Sequence, residues 1–318
     1  MVNFTGKTAF ITGGASGIGL GIAKACAKRG MNVVIADINQ QAIDDVVTLF
    51  TNNCWPVLGL KLDVTDRAAY KKAADEAEAK FGKIHLLVNN AGIGIPEGKL
   101  WEDKDEDIDL AIDINYRGVL NGIKEIVPRI LRHGEEGHVV STASKAGIVP
   151  VPGFTLYNSL KMAVVTVMET LATDLQGTNV GSSVFCPGPF QSNLGMSSGK
   201  IRAEKLGIEM PSFGPPPKKE GDEEQAPPPP PRMDIDFSKI IRYPEEAGER
   251  VLRGVERGDL YIFSHADFKK GWEARAAAIA RAFPDEPENP DFQKVFPMLI
   301  YNPVFEKQQQ VPAFVPEK

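Results

Sequence analysis

Tyr157 and Lys161 stand four residues apart in Phe154–Leu175, a stretch whose apolar spacing predicts one long helix. Residues at i and i+4 share a helix face. A phenol titrates near about pH 10 in water, too high for a good base at neutrality, and a neighbouring ammonium lowers that value. Such a pair can give and take a proton at an alcohol or ketone oxygen. Alone, Tyr-x-x-x-Lys is weak, because an exposed helix face carries it equally well. Ser144 precedes Tyr157 and could hydrogen-bond the same oxygen. Asn115 interrupts another predicted helix, where asparagine is a mediocre helix former that a solvent face also tolerates.

A second constellation is built to hold phosphate. Thr12, Gly13, Ser16, Gly17, Ile18 and Gly19 belong to a TGGASGIG run. Glycine there lets the backbone turn tightly and approach a pyrophosphate, and the helix that follows offers free N–H groups and a positive dipole end. Asp37 lies further on, at the end of the next apolar run. A carboxylate there can accept both ribose hydroxyls and repels a 2′-phosphate. Neither Ala15 nor Ile38 is basic, so the expected cofactor is NAD rather than NADP. Asp37 could equally cap the helix just beyond it. Asp63 and Val64 end a third apolar run and could touch the adenine edge or merely begin a turn.

The elements that must position these residues alternate. Strands are predicted at Lys7–Thr12, Asn32–Ala36, Val57–Leu62, Ile84–Val88, His138–Ser141 and Val180–Phe185. Helices are predicted at Ile18–Arg29, Gln40–Phe50, Asp66–Phe81, Glu102–Leu131 and Phe154–Leu175. Near-continuous apolar strands between amphipathic helices mean a parallel sheet covered on both faces. The fold class is therefore α/β, a doubly wound, Rossmann-like sheet of about seven strands, with its site at the C-terminal strand ends. Asn89-Asn90-Ala91-Gly92 and Pro187-Gly188-Pro189-Phe190-Gln191-Ser192 fall at such ends, as do the glycine run, Asp37 and Ser144.

TGGASGIG, Asp37, NNAG, Asn115, Ser144, YNSLK and the PG loop together resemble the short-chain dehydrogenase/reductase family, in its single-domain branch, from about Lys7 to Ser192. The resemblance implies Tyr157 as catalytic acid/base and Lys161 as its pKa partner and ribose-binding group. It implies Ser144 to orient the substrate oxygen, and Asn115 to bend its helix and hold a water that relays protons from Lys161. The glycine run would cradle the cofactor, with Asp63, Val64, Asn90 and Gly92 towards the adenosine side. Phe190 and Ser192 would hold the nicotinamide carboxamide, and Pro187 and Gly188 of the same loop would also bind the cofactor. Ser192 stands where the family usually has Thr, and STAS replaces the frequent NxSS before Ser144. The long helices 102–131 and 154–175 are the family's usual dimerisation faces, so a homodimer or homotetramer is expected. An extended-branch sugar-nucleotide epimerase could share Tyr-x-x-x-Lys, but the glycine spacing disfavours it.

Composition sets the outer limits. The chain has 318 residues, 36 Lys+Arg against 42 Asp+Glu and a formal charge of −6. An acidic surface disfavours nucleic acid as partner. No apolar run reaches the roughly 20 residues that span a bilayer, and the first residues do not read as a signal peptide. Cys26, Cys54 and Cys186 are too scattered for a disulfide framework, and the four histidines are dispersed, so no metal is expected. The expected location is cytoplasmic.

The chain departs from the branch after Ser192. One domain over 1–264 is expected to contain a substrate-side insert at 193–242, with a C-terminal helical and aromatic extension at 265–318. Within the insert, 193–210 could form a helix over the cleft. Residues 211–232 hold nine prolines and seven charges and read as a solvated loop or a lid. A helix at Pro244–Arg257 and a seventh strand at Leu260–Phe263 should follow, then a helix at His265–Phe283. The tail carries Phe292, Phe296, Tyr301, Phe305 and Phe314, too many aromatics for a disordered end.

The segment between Ser144 and Tyr157 is mostly apolar, Phe190, Leu194 and Met196 add to it, and no basic cluster marks an anionic substrate. The expected substrate is a bulky hydrophobic or aromatic secondary alcohol or its ketone. The insert and tail also resemble bacterial Cα-dehydrogenases that oxidise benzylic alcohols of lignin-type aryl ethers. Alternatives are a carbonyl reductase of the 3-oxoacyl or steroid type, or a non-catalytic NAD-binding regulator, which would not need Ser144, Tyr157 and Lys161 together.

Overall fold

β-Branched and aromatic runs buried on both sides form the centre of the molecule. The computed structural model describes residues 3–207, 236 and 240–315. Its strands are β1 Thr8–Thr12, β2 Asn32–Asp37, β3 Val57–Lys61, β4 Leu86–Asn89, β5 Gly137–Thr142, β6 Val180–Cys186 and β7 Tyr261–Phe263. They pair in parallel in the order β3-β2-β1-β4-β5-β6-β7. Chain order reverses between β1 and β4, where a doubly wound sheet opens its crevice.

The helices are α1 Gly17–Lys28, α2 Gln40–Asn52, α3 Arg67–Phe81, α4 Asp105–Ile112, α5 Gly118–His133, α6 Thr155–Asp174, α7 Leu194–Leu206 and α8 Pro244–Arg257. Side chains alternate across each strand. In β1, Phe10 enters the core beneath α3, α5 and α6 with Tyr70, Leu87 and Met168. Ala9 and Ile11 face the opposite core with Ile22, Cys26, Phe50 and Val251. Each large apolar side chain so enclosed contributes about 1.5–3 kcal/mol.

Two glycines set α1 against α8. A Cβ on Gly21 would lie 1.8 Å from the Pro244 carbonyl oxygen, and one on Gly248 would lie 2.2 Å from that of Gly21. This close crossing places α8, and hence β7 and the residues after it, beside the cleft.

The predicted long helix 102–131 begins later, at Asp105, and runs on to His133 with a π-bulge inside it. A single turn at Leu100–Glu102 precedes α4, and Asp113–Arg117 forms a π-turn before α5. The predicted helix at 265–283 is a short turn at Ala266–Phe268 followed by α9, Lys269–Ala280. Further on come α10 Phe292–Val295, α11 Pro297–Ile300 and α12 Pro303–Gln310. The proline-rich reading at 211–232 lies outside the described residues. Among them, no helix is long and apolar enough to cross a membrane.

Candidate active site

The C-terminal strand ends surround a cleft of about 860 Å³. Its floor on one side is the glycine loop. Gly13 and Gly17 have φ of +60° and +48°, the left-handed region that favours glycine. A Cβ on Gly19 would sit 2.1 Å from the Gly13 carbonyl oxygen, so only glycine lets the loop fold onto α1. Ser16 precedes α1 without making a side-chain capping bond, and the first turn carries no acid. Its backbone N–H groups are thus available to a phosphate.

Thr12 and Gly19 do not line the cleft; they build it. The Thr12 hydroxyl accepts from the N–H groups of Asn90 and Ala91, at 3.0 and 3.1 Å. Asn90 donates to the carbonyls of Thr12 and Gly13, both at 3.2 Å, and accepts from Thr142 at 3.2 Å. The Asn90 amide therefore acts as the brace that ties the loop to β4 and β5.

Asp37 closes β2 at the far end of the cleft. Its carboxylate accepts from the N–H of Ala15 and of Asn39, both at 3.1 Å. Lys61 pairs with Asp37 in register and also lines this end, a cation that the comparison of Ala15 and Ile38 overlooks. Asp63 is already engaged by an ion pair with Lys205 of α7 and by hydrogen bonds from Thr65. Burial raises its carboxyl, but Lys205 and Thr65 outweigh that and hold it below the ordinary range. Val64 packs under Gly118.

Ser144, Tyr157 and Lys161 converge at the other end. Lys161 Nζ is buried, donates to the Thr142 carbonyl at 3.1 Å and lies 5.7 Å from the Tyr157 ring centre. Burial pulls its ammonium down to about 8, opposed by Cys186. Burial raises the Tyr157 phenol, while the Ser144 hydroxyl pulls it the other way. This differs from the depressed phenol expected from the ammonium, because Lys161 sits beneath the ring, turned to Thr142, and desolvation dominates. The Ser144 oxygen accepts from the Ala146 N–H at 3.1 Å, leaving its proton to donate towards the cleft.

Asn115 enters from the π-turn. Its Oδ1 accepts from the Ile93 N–H at 3.1 Å, and its buried Nδ2 has no protein partner. A Cβ on Gly92 would lie 2.8 Å from Asn115 Oδ1 and 3.5 Å from Lys161 Nζ, so this glycine leaves room for both. The cleft thus joins a glycine loop at a helix N-terminus, the Asp37 carboxylate and a Ser–Tyr–Lys group.

The family model for the short chain dehydrogenase matches residues 7–202. The chain belongs to the short-chain dehydrogenase family. It is 32% identical over 280 residues to the C alpha-dehydrogenase of Sphingobium sp. strain SYK-6, covering 88% of this chain and 87% of that one. The NAD complex of a short-chain dehydrogenase/reductase from Burkholderia phymatum superposes with a TM-score of 0.75 at 29% identity, covering 91% of this chain and 100% of the other. The apo form of LigO from Sphingobium sp. strain SYK-6 gives 0.71 at 30% identity, covering 98% and 100%.

Within this dehydrogenase fold, sequence reasoning missed the residues that hold the PG loop. Ser264 Oγ accepts from the Gly188 N–H at 2.8 Å and lies 2.6 Å from His265 Nδ1. His265 Nε2 faces the Ile240 carbonyl at 2.9 Å, so it carries the proton and Nδ1 accepts from Ser264. The His265 ring stands between those of Phe190 and Phe268. Arg242 closes the clasp: its N–H donates to Pro189 and its carbonyl accepts from Gln191. The available signal was position alone, since Ser264-His265 directly follows a predicted strand. Ser264→Ala removes the acceptor of the half-buried Gly188 N–H, which costs about 1 kcal/mol. It should raise the KM for the cofactor about tenfold with a smaller change in kcat. Steady-state kinetics with the cofactor varied check this, and an unchanged KM would show the clasp to be dispensable.

The described residues also bring His85, His133 and Glu135 together, with ligand-type atoms within 4.8 Å. The dispersed histidines of the sequence meet here because β4 begins where α5 ends. The group is satisfied without an ion. His85 Nδ1 accepts from Thr8 N–H and Nε2 faces Glu135, while His133 Nδ1 accepts from Glu135 N–H and Nε2 donates to Ile84. Both imidazole lone pairs are already used by backbone N–H groups.

Proposed function

We propose that this chain is an NAD-dependent alcohol dehydrogenase that interconverts a bulky hydrophobic or aromatic secondary alcohol and its ketone. The convergence of Ser144, Tyr157 and Lys161 beside the glycine cradle carries this reading. The open α1 N-terminus, the left-handed glycines and Asp37 fit a dinucleotide. Nicotinamide, when bound, supplies the hydride acceptor or donor.

The remaining chemistry belongs to side chains. Ser144 donates a hydrogen bond to the substrate oxygen and fixes it beside Tyr157. The Tyr157 phenol gives its proton to a ketone oxygen, or as phenolate takes one from an alcohol. Lys161 supplies positive charge under the ring, and the free Nδ2 of Asn115 fits a water on the path by which the proton returns to solvent. Phe190, with Leu194 and Ile201 of α7, gives the mouth apolar lining, whereas the exposed Met196 does not line it.

The similarity to a C alpha-dehydrogenase makes benzylic alcohols of lignin-type aryl ethers the first substrates to try. Absorbance of NADH over a panel of such alcohols, hydroxysteroids and 3-oxoacyl thioesters tests the reading. Turnover of the thioesters alone removes the aromatic-alcohol assignment, and binding of NAD with no turnover across the panel favours a regulator. For the cofactor, Asp37 predicts an efficiency with NAD at least about tenfold above that with NADP, since juxtaposed like charges cost more than 1 kcal/mol. Asp37→Ala should erase most of the difference, leaving Lys61 to accept the 2′-phosphate. An NADP preference in the unaltered protein overturns the assignment.

A further inference from the structure

We propose that residues 269–301 form a strap that pairs with the same strap of a second copy of this chain. The strap is held at both ends. At its root a Cβ on Gly271 would lie 3.0 Å from Val149, and Arg275 donates to the Ile148 carbonyl at 3.3 Å. At its far end Asn302 bonds Thr173, Val304 is buried, Gln308 accepts from the Leu260 N–H, and Arg250 stacks on Phe314 at 3.3 Å.

Between these anchors the strap is apolar and open. No residue of α9 is buried. Trp272, Ile279, Phe283, Phe292, Phe296 and Leu299 are 44% to 74% exposed. At about 200 Å² for a large side chain, these six leave roughly 700 Å² of apolar surface in water. A stable interface takes about 800 Å² from each partner. A floppy tail would not be tied down at both ends around such a surface.

Charge selects the occupant. Residues 269–281 carry four cations, Lys269, Lys270, Arg275 and Arg281, against Glu273, a net +3. Residues 282–301 carry four carboxylates, Asp285, Glu286, Glu288 and Asp291, against Lys294, a net −3. A two-fold contact running the straps antiparallel sets each basic half on the partner's acidic half. The carboxylates lie between Phe283 and Phe292, where they would repel an anionic membrane.

Light scattering of the full chain at about 10 µM tests this, because association depends on concentration. The double variant F283D/L299D should halve the particle mass of the unaltered protein while circular dichroism and Tm stay constant, since both side chains face water. E286K/E288K should raise the dissociation constant at least about tenfold, and adding K269E/K270E should restore it. An unchanged mass in F283D/L299D, a monomeric unaltered chain, or capture of that chain by phosphatidylcholine/phosphatidylserine vesicles in place of self-association each overturns the proposal.

Discussion

Tyr157→Phe lowers kcat roughly a thousandfold, within the ~10²–10⁴ range for a positioned acid/base, and leaves cofactor binding nearly unchanged. The ring remains to pack over Lys161, so only the hydroxyl is lost. Stability should hold as well, because burial already disfavours the phenol's charged form. The raised phenol gives the reaction a direction of pH dependence. Below its titration Tyr157 is protonated and ready to serve ketone reduction, whereas alcohol oxidation needs the phenolate and should quicken as pH rises. Stopped-flow turnover in both directions, with NADH fluorescence titration as the binding control, checks each part. Near-normal turnover by the variant would remove Tyr157 from the chemistry.

Ser144→Ala separates the two roles at this oxygen. The Ser144 proton is what holds the phenol's rise in check, so the variant should move the oxidative pH limb upward. A structural role for Ser144 through Ala146 alone would not shift that limb.

The sheet and the cradle were legible because their signals are local. A strand buried on both faces is a continuous apolar run, and the bend from β1 into α1 needs glycine at Gly13, Gly17 and Gly19 whatever the rest of the chain does. Asp37 and Asn90 were legible by place, at strand ends. What Asn90 does was not, because its partners Thr12 and Thr142 are distant in sequence. The same limit hid the Asp63–Lys205 ion pair, the Ser264–His265 clasp and the meeting of His85 with His133. The π-turn at Asp113–Arg117 was hidden for another reason. It adds one residue to a helical turn without breaking the apolar period, so 102–131 reads as one helix. The tail's aromatic content showed that it must pack, but composition carries no direction, and its two anchored ends rest on partners distant in sequence, Ile148 and Thr173.

Lys161→Met should lower kcat a hundredfold or more, in the range of ~10²–10⁴ for acid–base assistance, and should not lower Tm. Methionine fills nearly the same space and loses one hydrogen bond, to the Thr142 carbonyl. Against that stands the desolvation of a buried ammonium, which the variant relieves. The pH dependence separates the two effects. Lys161 titrates near 8 in the fold against an ordinary 10.5. The unfolded chain therefore binds more protons between these values, and the stability of the unaltered protein gains from this group as pH rises through that window. The stabilisation of Lys161→Met over the parent should be largest below pH 8 and fade towards 10.5. Activity runs the other way. The ammonium is lost above about 8, below the raised titration of the phenol, so the climb of the parent's oxidative rate towards phenolate should bend over from about pH 8 as Lys161 discharges. The variant should lack that bend. Denaturant melts at pH 7 and 10 and kcat profiles across the same span would check both signs. A variant that is slow and also unstable at pH 7 would mean that Lys161 serves the fold before the chemistry.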